Sequence, residues 1–101
     1  MTYIVKQTLR IAIAVTFDDD GLKVQYSDSV AIGCITPNGG RQEWQATAVG
    51  EEVHYVVPAD QLTEAGRYRF WAILRFEMQG HEGEKYLTRA VEAQFINEGD
   101  L

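Results

Sequence analysis

The sequence predicts an all-β protein, an antiparallel β-sandwich of seven to eight strands. Apolar residues recur at every second position in several short segments, as expected for strands that bury one face. Turn residues separate these segments, and no stretch of useful length has the 3.6-residue period of a helix. The 101 residues, 46% of them hydrophobic, are enough to build one core. We therefore expect a single domain over residues 1–101.

The first predicted strands lie before residue 37. Residues 3–6 alternate weakly and predict a short edge strand, whereas residues 9–17 alternate strictly. Three aspartates and a glycine, residues 18–21, predict a turn; they lack the later ligands of a calcium-binding loop at the required spacing. Residues 22–26 alternate briefly. Residues 30–36 form a nearly continuous apolar run, which predicts a central strand buried on both faces.

The next strands are separated by strong turn signals. Pro37-Asn38-Gly39-Gly40 predicts a hairpin, because Asn and Gly tolerate positive φ. The returning strand is expected to run from Gln42 to Ala48 with Trp44 in the core. Residues 53–57 alternate as a further strand, which Pro58 ends. Residues 59–65 could hold a single helical turn.

A corner motif precedes the longest predicted strand, residues 67–78. In Glu64-Ala65-Gly66-Arg67-Tyr68, an acidic residue, a small residue, Gly, any residue and Tyr follow one another. This is the sequence form of the tyrosine corner, in which the Tyr hydroxyl bonds upstream backbone. Tyr68 and Phe70 should then point into the core. The motif predicts that the sandwich is immunoglobulin-like.

The last strand is predicted over residues 86–95, after a polar hairpin loop at residues 79–85. Strict alternation places Leu87, Val91 and Phe95 together on one side of it.

Composition restricts the function classes. The net charge of −6 argues against nucleic-acid binding, which needs a concentrated basic face. The single cysteine, Cys34, lies in an apolar run and is predicted to be a buried thiol in a protein that folds without an internal disulfide. No signal-peptide pattern or membrane-spanning run is recognisable in the sequence. We expect folding in a reducing cytoplasm.

No motif for catalysis, cofactor binding or metal binding is recognisable, so we expect neither an enzyme nor a cofactor. His54 alternates with apolar neighbours and is expected at the surface of a strand. His81 lies between acidic residues in a loop, but a second His or any Cys is missing there. No Ser has a His and a carboxylate at a recognisable spacing, and no glycine-rich segment precedes a helix.

One face of the longest strand is a candidate protein interface. If Tyr68 points inward, Trp71 and Ile73 point outward, flanked by Arg69 and Arg75. Exposed Trp beside an aliphatic residue and arginines is typical of interface hot spots. The alternative interpretation is that an edge loop or the first strand folds over Trp71 and Ile73 and covers them.

Three short motifs resemble a known group of proteins. They are the hairpin Ile35-Thr36-Pro37-Asn38-Gly39-Gly40 with Trp44, the strand Val53-His54-Tyr55, and the corner from Leu62 to Tyr68. Together they resemble the small immunoglobulin-like structural proteins of tailed bacteriophages and prophages. The chain lacks the two cysteines and the central-strand Trp of antibody domains.

The resemblance implies a structural or assembly protein of the virion, in a tail, baseplate, fibre or capsid-surface position. Such a protein would be made in the cytoplasm of the bacterial host and would bind other virion proteins and itself, through the face of Arg69, Trp71, Ile73 and Arg75 and through an exposed strand edge. The resemblance implies no catalytic residues. The alternative hypothesis is a module that binds host-surface glycans on an aromatic platform, with Trp44, Tyr55, Trp71 or Tyr86 as candidates.

Overall fold

The protein is built from β-strands, as predicted. The computed structural model describes residues 2–18, 21–78 and 80–100. Within these ranges the strands are β1 (Thr2–Ile4), β2 (Leu9–Ala14), β3 (Ser29–Ile35), β4 (Arg41–Gln45), β5 (Thr47–Val49), β6 (Glu52–Val57), β7 (Gly66–Phe76), β8 (Glu84–Leu87) and β9 (Val91–Ile96). Helical structure in the described ranges is restricted to single 3₁₀ turns at Val24–Tyr26 and Glu98–Asp100.

The strands form two sheets of unequal width. The large sheet has the order β1-β9-β7-β3-β4, and β8 also pairs with β7. The small sheet has the order β2-β6-β5. Strand pairs of the described residues are antiparallel except that of β1 with β9, which is parallel, so the prediction of an antiparallel sandwich is wrong at this edge. The side of the large sheet that packs on the small sheet is called the inner face below, and the opposite side the outer face.

Alternating residues of both sheets meet in one core. The small sheet contributes Ile11, Ile13 and Val53, and the large sheet contributes residues such as Ile32 and Leu74. Full burial of an aliphatic or aromatic side chain stabilises the fold by about 1.5–3 kcal/mol before entropy is counted. The strictly alternating segments thus carry the core, as their pattern predicts.

Strand β3 lies in the middle of the large sheet, between β4 and β7. Its residues 30–34 are all buried, which confirms the prediction of a strand covered on both faces. Cys34 is fully buried, and burial raises the pKa of its thiol to about 12. The thiol is therefore neutral and unreactive at physiological pH.

A row of aromatic rings crosses the interior. Each neighbouring pair in the row has ring centroids between 4.8 and 6.3 Å apart. The row runs from β6 to β1 in the order Tyr55, Trp44, Phe70, Tyr68, Phe95 and Tyr3. Trp44 is only 8% exposed, so its predicted place in the core is confirmed.

The corner before β7 is fixed by a glycine and a tyrosine. Gly66 has φ +137°, and a Cβ there would lie 2.7 Å from Cβ of Pro37. A larger residue would therefore have both an unfavourable backbone conformation and a steric clash with Pro37. The Tyr68 hydroxyl donates a 2.7 Å hydrogen bond to the Glu64 carbonyl and accepts one of 3.3 Å from the Glu64 N–H. Burial of the ring raises the pKa of Tyr68 above its ordinary value.

Three predicted segments differ from the structure. The alternating residues 22–26 contain a 3₁₀ turn instead of a strand. The predicted strand from Gln42 to Ala48 is divided, because the chain leaves the large sheet after β4 and enters the small sheet at β5. Residues 59–65 form a turn, closed by a 3.1 Å bond from the Gln61 N–H to the Pro58 carbonyl, without a helix.

The predicted last strand contains an extra residue that reverses its faces. Ile73 of β7 pairs with Leu87, whereas Phe70 pairs with Val91. Three steps along β7 therefore correspond to four steps along the opposite chain, which is the count of a β-bulge. Because a shift of one residue exchanges the two faces of a strand, Leu87 lies on the outer face and Val91 on the inner face. The expectation that both share one side is wrong.

Candidate protein-binding face

The four predicted interface residues lie at alternate positions of β7 on the outer face of the large sheet. We call the surface of Arg69, Trp71, Ile73, Arg75 and the neighbouring Leu87 the Trp71 face. It has this position because Tyr68 and Phe70, on the other side of the same strand, are both buried inward. The periodicity that builds the core thus also places these residues together.

The ring of Trp71 lies over Gly33. These two residues are cross-strand partners, and a Cβ on Gly33 would stand 2.4 Å from Cε2 of the Trp71 ring. Gly33 is therefore required for the ring to approach the backbone of β3. Trp71 is partly buried as a result, and only part of its ring is free for a partner.

Ile73 is only 3% exposed, so the expectation that Trp71 and Ile73 form an exposed apolar pair is wrong. Its cross-strand partners on the two sides are Ala31 and Leu87, while Trp71 and Arg75 flank it along β7. Strand β1, one of the two covers considered from the sequence, pairs beside β9 in the plane of the sheet. In-plane neighbours thus account for the burial better than a covering strand.

Leu87 is the most exposed apolar side chain of this face, at 60%. The sequence predicted that it shares one side with Val91 and Phe95, but the bulge between β8 and β9 places it on the outer face instead. No glycine or proline marks the bulge, so the sequence carries no local signal for it. Leu87 and the accessible part of Trp71 are the apolar contact area that the Trp71 face offers.

Ion pairs surround this apolar area. Glu92 lies 3.7 Å from Arg67 and 3.8 Å from Arg69, and Arg75 lies 3.8 Å from Glu43. All these side chains are 41–69% exposed, so each pair stabilises the fold by less than about 1 kcal/mol. An apolar centre within charged groups of both signs is the composition of a protein-binding surface with a polar rim.

The aromatic residues considered for glycan binding do not form a shared exposed platform. Trp44 stacks on Tyr55 at an interplanar angle of 10° and is buried. Tyr86 packs edge-on against Phe17 and Phe76. Trp71 lies on the outer face, away from the other three.

The two histidines pair with carboxylates. Nε2 of His54 lies 2.9 Å from Glu52 on the small sheet, and Nδ1 of His81 lies 2.9 Å from Glu84. Glu84 also accepts a hydrogen bond from the Tyr86 hydroxyl. In the described part of the chain, no three His, Cys, Asp or Glu residues are grouped as metal ligands. The aspartate turn considered as a calcium loop lies partly outside the described residues.

Comparison of the chain with protein-family models, with curated proteins and with solved structures finds no match. Among the described residues, no helix combines the length and the hydropathy needed to cross a bilayer.

Proposed function

We propose that the chain is an immunoglobulin-like sandwich that acts as a non-catalytic assembly module of a bacteriophage particle. Immunoglobulin domains have the strand orders ABED and CFG. The small sheet, β2-β6-β5, has the order of B, E and D, and β3, β7 and β9 have the order of C, F and G. The bonds between Tyr68 and Glu64 have the geometry of a tyrosine corner at the start of strand F.

The observation that carries the assembly role is the Trp71 face. It combines an exposed Leu87, a partly exposed Trp71 and paired charges of both signs on one face of the sheet. Protein interfaces have this anatomy, with an apolar centre and a polar rim. The assignment to a phage particle comes from the resemblance of the hairpin, the Val53-His54-Tyr55 strand and the corner to phage immunoglobulin-like proteins.

Two measurements test the proposal. Phage particles from the bacterium that encodes the chain are purified on a density gradient, and mass spectrometry is used to find the chain in them. A tagged chain carrying Arg75→Glu is then compared with the tagged wild type for incorporation. We expect the chain in the particles and at least about a tenfold loss of incorporation for the variant, since interface arginines often dominate binding.

Lys6→Glu is the matched control. It makes the same change of charge at an exposed position in the connection between β1 and β2, away from the Trp71 face. Equal incorporation of the wild type and both variants, or absence of the chain from purified particles, would show that the proposal is wrong.

A further inference from the structure

One flank of the sandwich is open. A groove of about 1030 Å³ lies between the edge of β2 and the chain from β8 to β9. Residues 9–17 form one wall, Phe70 and Leu74 lie on β7 at its base, and Val91 and Ala93 belong to the other wall. We call this feature the flank groove. It is separate from the Trp71 face, except that Leu87 borders both.

The edge of β2 presents backbone hydrogen-bonding groups to the flank groove. The Val15 N–H bonds the Glu51 carbonyl at 3.0 Å, which shows that the odd residues of this strand bond toward β6. In an antiparallel ladder the even residues then point their N–H and C=O groups the other way. Arg10, Ala12 and Ala14 therefore offer groups toward the open side, and in the described part of the chain these have no partner.

This edge lacks the usual protection against strand addition. Exposed edges are commonly protected by lysines, prolines, bulges or short length. Strand β2 has six residues, whereas the edge strands β1, β4 and β5 have three, five and three. Its outward residues include Ala12 and Ala14, which are too small to hinder an approaching chain.

Next to the open edge of β2, part of the inner face of β9 is also uncovered. Val91 points inward with Ala93 and Phe95, because it pairs with the buried Phe70. Ala93 and Phe95 are 8% and 2% exposed, but Val91 is 54% exposed. A fourth strand beside β2 would lie over Val91, and this is the position that strand A takes beside strand B in immunoglobulin domains. Here β1 pairs with β9 instead.

A second folded copy does not fit this position. Antiparallel pairing of two β2 edges has its two-fold axis perpendicular to the joined sheet, so both large sheets would lie on the same side. The large sheet is five strands across and continues beyond β7 with β9 and β1, next to the three-stranded small sheet. The two large sheets would overlap. The groove admits a single extended segment without a sheet of its own behind it.

The positive charges of the flank groove favour a bound segment with acidic residues. Arg10 and Arg89 line the groove, and neither has a carboxylate partner among the described residues. Arg10 lies on the outward side of β2, where the side chains of a paired strand would stand opposite it. Acidic residues at outward positions would therefore be favoured.

We propose that the flank groove binds an extended segment of another protein, added antiparallel to β2 as a fourth strand of the small sheet. Alternate residues of the segment are apolar and cover Val91, and its outward residues include acidic ones. Strand addition of this kind obtains affinity from backbone hydrogen bonds and specificity from alternate side chains. The inference shares with the proposed function that the chain binds proteins, but it concerns a different surface.

The test uses a capped synthetic heptapeptide, Glu-Val-Thr-Val-Thr-Val-Glu, titrated into the full chain. The valines form one side of the extended peptide, and the acidic and threonine residues the other. Calorimetry measures the affinity, and amide exchange of Ala12 and Ala14 locates the site. We expect saturable binding and slower exchange of both amides. Absence of binding at about 1 mM peptide, or binding without protection of these amides, would overturn the proposal.

Backbone methylation tests the direction of the added strand. In antiparallel pairing, residues whose N–H groups point to β2 have side chains on the same side as Ala12 and Ala14. N-methylation of the two threonines should therefore abolish binding, while N-methylation of two valines should leave it within about threefold. The reverse result would overturn antiparallel addition, and insensitivity to both would overturn strand addition altogether.

Variants of the chain test the two side-chain contacts. Val91→Asp should weaken peptide binding at least about tenfold, while Val49→Asp, on the far edge of the small sheet, should not. Arg10→Glu should weaken binding of the acidic peptide, and a peptide with Lys in place of Glu should restore it. Equal affinities throughout would exclude the assigned contacts.

The tests of the two proposals give separate results. Arg75→Glu should leave peptide binding unchanged, because Arg75 does not line the groove. Size-exclusion chromatography of Ala12→Cys under oxidising conditions provides a last check. A crosslinked dimer through that position would identify a second copy as the occupant and overturn the proposal.

Discussion

One flank of the sandwich is closed and the other is open. On the β4 flank the chain itself passes from the large sheet to the small sheet at Ala46, and Trp44 stacks on Tyr55 beneath this crossing. On the β2 flank the crossing between β1 and β2 lies at one end of the sheets, so β2 and the β8–β9 chain remain separate farther along. One flank is sealed by covalent connection and aromatic packing, and the other is left as a groove.

The difference shows that inward side chains of the same strand can differ widely in their exposure. Val91 and Phe95 are inward residues of the same strand, yet they are 54% and 2% exposed. Phe95 has Tyr3 of β1 stacked on it at 5.3 Å. Strand β1 pairs with Gln94, Phe95 and Ile96. Val91 lies outside this pairing and, among the described residues, has no aromatic ring stacked on it.

Breaking the closed flank should have the largest effect on stability. Trp44→Ala removes the stack on Tyr55 and the contact with Phe70, and should lower the free energy of unfolding by about 3–5 kcal/mol, as for other buried aromatic residues. Val91→Ala on the open flank is the control and should cost less than about 0.5 kcal/mol. Urea denaturation followed by far-UV circular dichroism measures both. Similar losses would show that the two flanks are packed alike.

Tyr68 connects the two flanks in the middle of the aromatic row, and Tyr68→Phe should have a smaller effect. The ring is kept, but the Glu64 carbonyl loses its donor and the Glu64 N–H its acceptor, at a cost of about 1–2 kcal/mol. Tyr55→Phe is the matched control, because no protein partner of its hydroxyl is present among the described residues. The same denaturation measurement compares them, and equal stability of both variants would contradict an anchoring role for the corner.

The smallest effect is expected at the β8 end of the flank groove, where Tyr86 packs on Phe76. The pKa of Glu84 is lowered by its hydrogen bonds from Tyr86 and, secondarily, His81. A lowered folded-state pKa means that Glu84 contributes stability above its ordinary pKa and loses this contribution as the pH falls through the lowered value. Glu84→Gln should therefore differ from the wild type near neutral pH and converge with it in acid.

Unfolding midpoints measured between about pH 7 and about pH 3 check this prediction. Glu51→Gln, an exposed carboxylate without a side-chain partner among the described residues, is the control. A constant difference between wild type and Glu84→Gln over the whole pH range would contradict it.

Local pattern was sufficient to predict most strands and the core. The alternation of residues 9–17 predicted which side chains of β2 are buried, and the apolar run predicted the double burial of β3. Gly66 was expected to give the chain the backbone freedom for a sharp change of direction before the longest strand, and its φ of +137° agrees with this. These features depend on neighbouring residues or on single close contacts, which the sequence encodes directly.

The functional surfaces were less predictable, because they depend on pairing between distant segments. The alternation correctly placed Trp71 on the outer face, but its ring is partly buried over Gly33, a residue on another strand. Ile73 is buried because Ala31 and Leu87 flank it. Leu87 has this position because of a bulge that no glycine or proline in the sequence indicates. The flank groove lies beside β2 because β1 pairs with β9 and leaves this edge of β2 unpaired in the described part of the chain. Period-two alternation contains none of this information.

The bulge between β8 and β9 takes up one residue of the chain. Leu87 and Val91 are four residues apart, a spacing that places side chains on the same side of a regular strand, yet they face opposite sides of the sheet. Removing one residue between them would leave three steps opposite the three steps from Ile73 to Phe70. Leu87 would then stay outward and Val91 inward in a regular ladder, so we expect the pairing on either side to tolerate a one-residue deletion in this connection.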